Sequence, residues 1–508
     1  MTNVLEMLEK SAPGRPDAVA FCDPASEITY ADLLRRSRAL GSYFLRNSLR
    51  SGDCVAFFME KCVDVMPLMF GAVYANAFYS FIDVRQPAER FVAILETLAP
   101  VCIVTDEAHF EGLSEALPEG LSKRVRRVDM LLEKASTEPV DEALLGRARA
   151  RFTDLQPLYV NFTSGSTGTP KGVVIAHRSV VDFITVFVKT FGFKAEDVFA
   201  NQAPFDFDVS VKDIYGAMCV GASVALIPRE YFTDPTRLMD YICDSGASVL
   251  VWAVSAMCFV SIMNGLSYRV PEGLRYVMFS GEVMPVKQLL KWQAAVPDAT
   301  YVNLYGPTEI TCNCTYHVLE RAYGKGEEIP IGVPFENEKV FLLDDEDKPV
   351  AEPDKIGEIC VSGTCVGLGY FKDPGKTAEA FVQNPLQKRF LETIYRTGDL
   401  GRYDKDRLLF YVGRKDFQVK HMGQRIELGD IEAAAMKLEG IERAVCLYDH
   451  AHQRIVLFYT GPLEKENVSE KLKDKLPPFM MPNKTIRLNT FPLNKNGKVD
   501  RKSLEEHF

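Results

Sequence analysis

The chain has 508 residues, 47% hydrophobic and 25% charged, and its 59 Lys and Arg against 69 Asp and Glu leave a formal net charge of −10. That composition can build large buried cores and excludes disordered and collagen-like classes. The acidic balance argues against nucleic acid as a partner, while still permitting a small anion at one local basic site.

Taken in chain order, the opening MTNVLEMLEKSAPGRPD lacks the basic flank and apolar core of a signal peptide. The twelve Cys include no CxxC pair, so their spacing offers no zinc site, and a cytoplasmic protein with free thiols is expected. DCVAFFM from Asp53 reads as a strand, VDVMPLMFGAVYANA as a helix, AFYSFID as a strand, QPAERFVAILETLAP as a helix and VCIVTD as a third strand. Strands alternating with helices at this spacing predict a parallel sheet. Residues 107–155 are charged and weakly patterned, and predict connecting helices and loops. A second α/β run starts at Tyr159. Inside it the charge-free stretch between Asp244 and Arg269 is broken by Ser and Gly, which predicts a buried strand and a packed helix rather than a membrane span. Near residue 400 the texture changes. The segment from Asp406 to Gly440 predicts two short strands and a helix from about Leu428, and AVCLYD, RIVLFYT and EKENVSEKLKDKL predict two strands and a helix. The expected architecture is α/β, with a large multi-subdomain body of parallel-rich sheets over 1–415 and a small mobile α+β domain over 416–508, the boundary lying at Gly413–Phe417.

The strongest local signal is TSGSTGTPKG, from Thr163 to Gly172, set between the strand-like LYVNF and VVIA. Glycines allow a tight loop of exposed N–H groups, and hydroxyls with Lys171 add donors and a charge suited to polyphosphate. It is not a Walker loop, because Pro170 precedes Lys171 and Gly172 follows, and its spacing does not fit a nucleophile elbow. A solvated Ser/Gly linker is the alternative that composition alone allows.

This segment resembles the phosphate loop of the adenylate-forming superfamily, which holds acyl-CoA synthetases, luciferases and the adenylation domains of peptide synthetases. Further segments resemble that family's motifs in order: FDFDVS at Phe205–Ser210, NLYGPTE at Asn303–Glu309, GEICVSGTCVGLGY at Gly357–Tyr370, YRTGD at Tyr395–Asp399, GRKDFQVKHMGQRIELGDIE at Gly413–Glu432 and PLNKNGKVDR at Pro492–Arg501. NLYGPTE, LPPFMMP and PLNKNGKVDR are most similar to amino-acid adenylation enzymes, and FDFDVSVKDIY with GEVMP to D-alanine:carrier-protein ligases and related stand-alone enzymes.

The resemblance implies a role for each matching residue. Lys498 would be the catalytic lysine bridging the substrate carboxylate and the α-phosphate of ATP, two anions whose approach needs a cation. Thr308 would hold the α-phosphate and Glu309 a Mg2+ ion, which prefers carboxylate and phosphate oxygens. Thr163, Ser164, Gly165, Ser166, Thr167, Gly168 and Lys171 would hold the leaving pyrophosphate. Tyr305 would offer a face to adenine and Asn303 would read its polar edge, with Leu304, Gly306 and Pro307 shaping the turn. Asp399 would accept from the ribose hydroxyls. Tyr411 and Arg414 would close over the nucleotide, Arg414 as a second cation. Asp416 would be the hinge about which the small domain turns, bringing Lys498 in for one half-reaction and the loop around Gly423 for the other.

Asp208 matches the carboxylate that pairs with an amino acid's α-ammonium, and a buried Asp would be costly to an enzyme whose acid carries no ammonium. Val209, Lys212, Ala253, Met278, Ser280, Leu304, Cys312 and Asn313 match the lining positions. Lys212 allows an acidic substrate, or it simply pairs with Asp208 four residues earlier on one helical face. The function expected is amino-acid adenylation with ATP and Mg2+, followed by transfer to the phosphopantetheine thiol of a separate carrier protein, seven residues after Arg501 leaving no space for a carrier domain. D-alanine or another small amino acid is favoured. The alternatives are a CoA ligase of a small carboxylic acid, an acidic amino-acid substrate and a non-enzymatic nucleotide-binding scaffold.

Overall fold

The computed structural model describes residues 1–163, 170–324, 326–415, 418–492 and 499–508, and among them the strands form five sheets. The architecture is α/β, a large N-terminal body with a small C-terminal domain. No helix among the described residues is long and apolar enough to cross a membrane.

One body sheet contains the three expected strands. Cys54–Phe58 lies between Phe78–Phe81 and Cys102–Thr105 and pairs parallel with both. Its residues are all buried, as a strand covered by helices on both faces requires. The weakly patterned 107–155 stretch supplies one strand that was not expected, Val125–Arg127, parallel to Cys102–Thr105. Three residues are too few for an alternation to register in sequence. On its other side this sheet carries Pro157–Thr163 and Lys171–Ala176, an antiparallel pair that brackets the Gly-rich loop.

A second sheet has a parallel centre of Ser223–Leu226, Val198–Asn201, Val249–Ala253, Tyr276–Ser280 and Thr300–Tyr305. The charge-free stretch resolves as expected into the buried strand Val249–Ala253 and the helix Val254–Ile262. Leu250 and Trp252 enter an apolar cluster with Phe279 and Trp292, and burial of each such side chain contributes roughly 1.5–3 kcal/mol. Thr300–Tyr305 ends where the site begins.

The segment after Asp406 holds three strands, not two. Leu409–Arg414 joins the antiparallel sheet of Ile356–Gly363 and Thr393–Tyr403, while Gln418–His421 and Gln424–Glu427 form a separate hairpin. The pattern merged them because hydrophobicity runs on across the junction. The hairpin loop is two residues, Met422 and Gly423, at φ 53 and 77. Two positive φ values in succession give the turn whose twist matches a right-twisted strand pair. Next come the expected helix Leu428–Met436 and the antiparallel pair Arg443–Asp449 and Arg454–Thr460. A short strand, Lys484–Arg487, adds parallel to that pair and was not expected beside the Pro-rich LPPFMMP.

Candidate active site

Asp208 occupies the position just before the helix Val209–Val220, where an Asp side chain ordinarily caps. Here it makes no capping hydrogen bond, and the residue is only 5% exposed. Its Oδ2 is buried without a hydrogen-bond partner. Burial pushes its pKa up, with Lys212 and the Thr308 hydroxyl pulling the other way. A carboxylate in this state is an unfilled acceptor for a cation.

Lys212, one turn on and fully buried, makes no direct ion pair with Asp208 among the described residues, although its charge still draws that carboxyl's pKa down. Its Nζ donates to Asn313 Oδ1 instead. Asn313 is available because the chain doubles back after the short helical turn Thr308–Ile310, with Thr311 and Cys312 at φ 60 and 72. Two successive non-Gly residues in the left-handed region are costly and need surroundings that hold them. Part of that hold is Cys312 Sγ donating to the Asp208 carbonyl at 3.2 Å. Val209, Met278, Leu304 and Cys312 pack in one apolar cluster, and Ala253 and Ser280 are cross-strand neighbours. Of the lining residues read from sequence, Cys312 contacts Asp208 directly, and Lys212 acts on its carboxylate through its charge.

Gly306 makes the reversal possible. A Cβ there would lie 2.5 Å from Asn313 Cα and 2.8 Å from the Cys312 carbonyl, both backbone atoms that cannot yield cheaply. Gly306→Ala is expected to cost about 1–3 kcal/mol by overpacking and to lower activity by moving Asn313. Urea denaturation beside an activity assay checks this, and an unchanged midpoint would refute it.

The residues expected on the nucleotide side also meet one another, but already hold partners. Tyr305 OH donates to Asp399 Oδ2 at 2.6 Å, and Arg414 Nη1 donates to Asp399 Oδ1 at 2.7 Å. Arg414 is thus a neutralised partner of Asp399 rather than a spare cation. Ribose hydroxyls would have to use the carboxylate's remaining lone pairs. The Tyr305 ring lies 6.4 Å from that of Tyr411, and Lys420 Nζ sits 5.6 Å from the Tyr305 centroid, so the face expected to be open is capped. Asn303 Nδ2 donates to the Pro330 carbonyl at 2.8 Å, which leaves its Oδ1 to read a base edge. Leu304, between them on the strand, faces the opposite side, in the apolar cluster that also holds Val209 and Cys312, as strand alternation demands. Pro307 leads into the turn that carries Thr308 and Glu309.

Glu309 is fully buried, accepts from Arg425 Nη1 at 2.9 and 2.8 Å on its two oxygens, and accepts from Tyr370 OH at 2.8 Å. Burial alone would raise its pKa, but Arg425 and then Lys171 hold it down at about 2. It is an ionised hard oxygen donor, which fits Mg2+. No cluster of three or more His, Cys, Asp or Glu accompanies it among the described residues, so the remaining ligands would be phosphate and water oxygens. As the chain lies here, Arg425 stands at the carboxylate instead of a metal.

Lys171 Nζ lies 3.6 Å from Glu427 Oε1 and 5.4 Å from the Tyr370 ring centroid. Thr163 Oγ1, at the end of the strand Pro157–Thr163, is buried without a hydrogen-bond partner among the described residues. Ser164, Gly165, Ser166, Thr167, Gly168, Asp416 and Lys498 lie outside the described residues. Sequence reasoning assigned no role to Arg425, Lys420, Tyr370 or Glu282. Arg425 and Lys420 stand in the quoted GRKDFQVKHMGQRIELGDIE and Tyr370 closes GEICVSGTCVGLGY, but only a tertiary partner distinguishes a buried Arg from a solvated one.

A family model described as AMP-binding enzyme matches residues 8–371. The chain is 35% identical over 496 residues to the L-proline--[L-prolyl-carrier protein] ligase of Streptomyces coelicolor, across 94% of this chain and 91% of that protein. It is 32% identical over 517 residues to a dimodular nonribosomal peptide synthase of Bacillus subtilis, across 98% of this chain but only 21% of that far longer protein. A solved nonribosomal peptide synthetase protein containing adenylation and PCP domains, bound to a vinylsulfonamide inhibitor, superposes with a TM-score of 0.83 at 26% identity, across 99% of this chain and 84% of that one.

Proposed function

This chain belongs to the AMP-binding enzyme family, and from that premise we propose that it adenylates a small amino acid with ATP and passes it to the phosphopantetheine thiol of a separate carrier protein. The observation that carries this reading is Asp208, a buried carboxylate with one oxygen unpartnered, set beside the turn of Thr308 and Glu309. An α-ammonium held there would place the substrate's own carboxylate toward the nucleotide-side residues. A substrate without an ammonium would leave Asp208 buried and uncompensated.

In the first half-reaction a substrate carboxylate oxygen attacks the α-phosphorus and pyrophosphate leaves. Thr308 would hold the α-phosphate, Lys171 the departing pyrophosphate, and Lys498 the two anions as they meet. Bound Mg2+, held by Glu309, would offset the phosphate charge. In the second half-reaction the carrier thiolate attacks the acyl carbonyl, and AMP leaves as the thioester forms. The relatives carry names consistent with both steps, one being an L-prolyl-carrier protein ligase. Lys212, occupied by Asn313, supports a small uncharged amino acid over an acidic one. Alanine in either hand and L-proline head that class.

The test is amino-acid-dependent pyrophosphate exchange over all standard L- and D-amino acids, then thiol transfer with CoA offered against a phosphopantetheinylated carrier. One small amino acid should dominate and the carrier should be the acceptor. Absence of exchange with every amino acid, or preference for CoA, would overturn the reading. Lys498→Ala should lower adenylation by about 10²-fold or more while thiol transfer from supplied aminoacyl-AMP persists. Parallel loss of both steps would contradict the role given to Lys498.

A further inference from the structure

Lys61 follows the strand Cys54–Phe58 of one body sheet and reaches across to the other, where the strand Val198–Asn201 ends. Its Nζ donates to the carbonyls of Asn201 at 2.9 Å, Gln202 at 2.8 Å and Ala203 at 3.2 Å, and to Asn201 Oδ1 at 2.8 Å. One ammonium with three protons thus gathers three consecutive backbone carbonyls at a strand end, where carbonyls lose their ladder partners. These acceptors are neutral oxygens, and burial pulls the Lys61 pKa down to about 7, so the charge is held there at a cost. Asn201 passes the contact on. Its Nδ2 donates to Asp213 Oδ2 at 2.8 Å, and both residues are fully buried. Asp213 lies on the helix Val209–Val220, which Asp208 precedes. The Asn201–Asp213 bond therefore closes residues 201–213 into a ring that contains Asp208, and Lys61 ties the start of that ring to the opposite sheet. Gln202 Oε1 accepts from the Ala253 N–H at 3.3 Å, which joins the same turn to the end of the strand Val249–Ala253.

Asp208 makes no capping bond on its helix, and its Oδ2 has no hydrogen-bond partner among the described residues, so the backbone that carries it has a large share in aiming it. A carboxylate that is to meet an ammonium works best when it is held in place before the substrate arrives. We propose that Lys61 is a positioning residue for recognition of the substrate's α-ammonium: by gathering the carbonyls of Asn201, Gln202 and Ala203 it fixes the turn that aims Asp208. This rests on the adenylation reading above and deepens it, because it makes a side chain from the opposite sheet set how strongly the amine is preferred. Lys61 acts through residues 201–213 and not by touching the substrate. Joining the two sheets does not depend on it alone. Arg229, just after the strand Ser223–Leu226, pairs with Asp83 at 2.9 Å and with Glu60 at 3.4 Å, and so bridges the same two sheets.

The test uses the full chain and two probes, alanyl-sulfamoyl-adenosine and its propionyl counterpart, which mimic an acyl-adenylate and differ only in the α-amine. The unaltered protein should bind the alanyl probe more tightly. Lys61→Met should reduce that preference about tenfold, while affinity for the propionyl probe and the KM for ATP stay within about twofold. Lys61→Arg, which keeps a charged donor of several protons, should retain most of the preference. In an Asp208→Asn background Lys61→Met should change it no further, because the group being aimed is gone. An unchanged preference in Lys61→Met, or equal weakening of both probes, would overturn the proposal. Should that variant fail to fold, Asn201→Ser decides: it should reduce the preference about threefold, and no change would refute the proposal. An unaltered protein that binds the two probes equally would instead overturn the amino-acid reading itself.

Discussion

Asp208→Asn is expected to eliminate most amino-acid-dependent pyrophosphate exchange, lowering kcat/KM by about 30-fold to several thousand-fold, while the free protein should become no less stable. The loss follows from removing one partner of a buried charge pair with the substrate ammonium, which costs roughly 2–5 kcal/mol. Stability moves the other way because the free chain buries Asp208 with one oxygen unpartnered and its pKa raised by that burial. The sign follows from proton binding. An acid whose folded pKa lies above its unfolded value keeps its proton longer in the folded state, so its contribution to stability falls as pH rises past the unfolded value of 3.8. Asn carries no such penalty, so the advantage of Asp208→Asn should be absent in acid and should emerge as pH rises from about 4. Exchange kinetics paired with thermal melts across pH measure both. Retained exchange would show that the ammonium is recognised elsewhere.

Glu309→Gln is the second large effect, and it acts on both stability and chemistry. Removing one member of a buried ion pair leaves the other uncompensated, ordinarily at about 3–5 kcal/mol. Here the loss is limited by the cost of unseating the hairpin, since Arg425 can then reach water. Destabilisation should therefore show first as faster amide exchange in residues 418–427, and less in the global melt. Adenylation should fall by about 10²–10³-fold, the scale of losing one preorganised electrostatic group at a reacting centre. The pH dependence runs opposite to that of Asp208. Glu309 has its pKa held at about 2 against an ordinary 4.5, so its stabilisation is full above about 4.5 and is lost as pH falls through about 2. The difference between wild type and Glu309→Gln should accordingly shrink over that window. A hairpin equally protected in both proteins would show that Glu309 does not anchor it.

These two residues also mark how far the site was legible. Asp208 was expected to meet a cation through the resemblance of FDFDVS to the family's pocket motif, and its burial with one oxygen unpartnered among the described residues is compatible with that reading. The partner of Lys212 was not legible, because sequence offers it a partner four residues away while the fold offers Asn313, 101 positions on. Choosing between them depends on the left-handed pair Thr311 and Cys312, which nothing in their side chains announces. Glu309 was expected as a hard-oxygen donor through the resemblance of NLYGPTE, and its pairing with Arg425 was not expected. Arg414 and Asp399 were read as two independent nucleotide contacts and proved to be one ion pair, since antiparallel pairing sets them directly opposite each other.

For the fold, the local signals carried far where elements were long and periodic. The parallel strands near the N-terminus, the buried strand Val249–Ala253 and the helix at Leu428 all stood out as patterns of several residues. Three-residue Val125–Arg127 and four-residue Lys484–Arg487 did not, being strands only because a partner strand lies alongside. By itself, then, the sequence determined the α/β class and the family resemblance, because these depend on residue identity and short-range spacing. Only the tertiary structure decided which charges meet. Arg425 on Glu309, Lys212 on Asn313 and Lys420 over Tyr305 are contacts across 116, 101 and 115 positions. A buried ion pair is selected by the desolvation of both members together, which no spacing rule along the chain encodes.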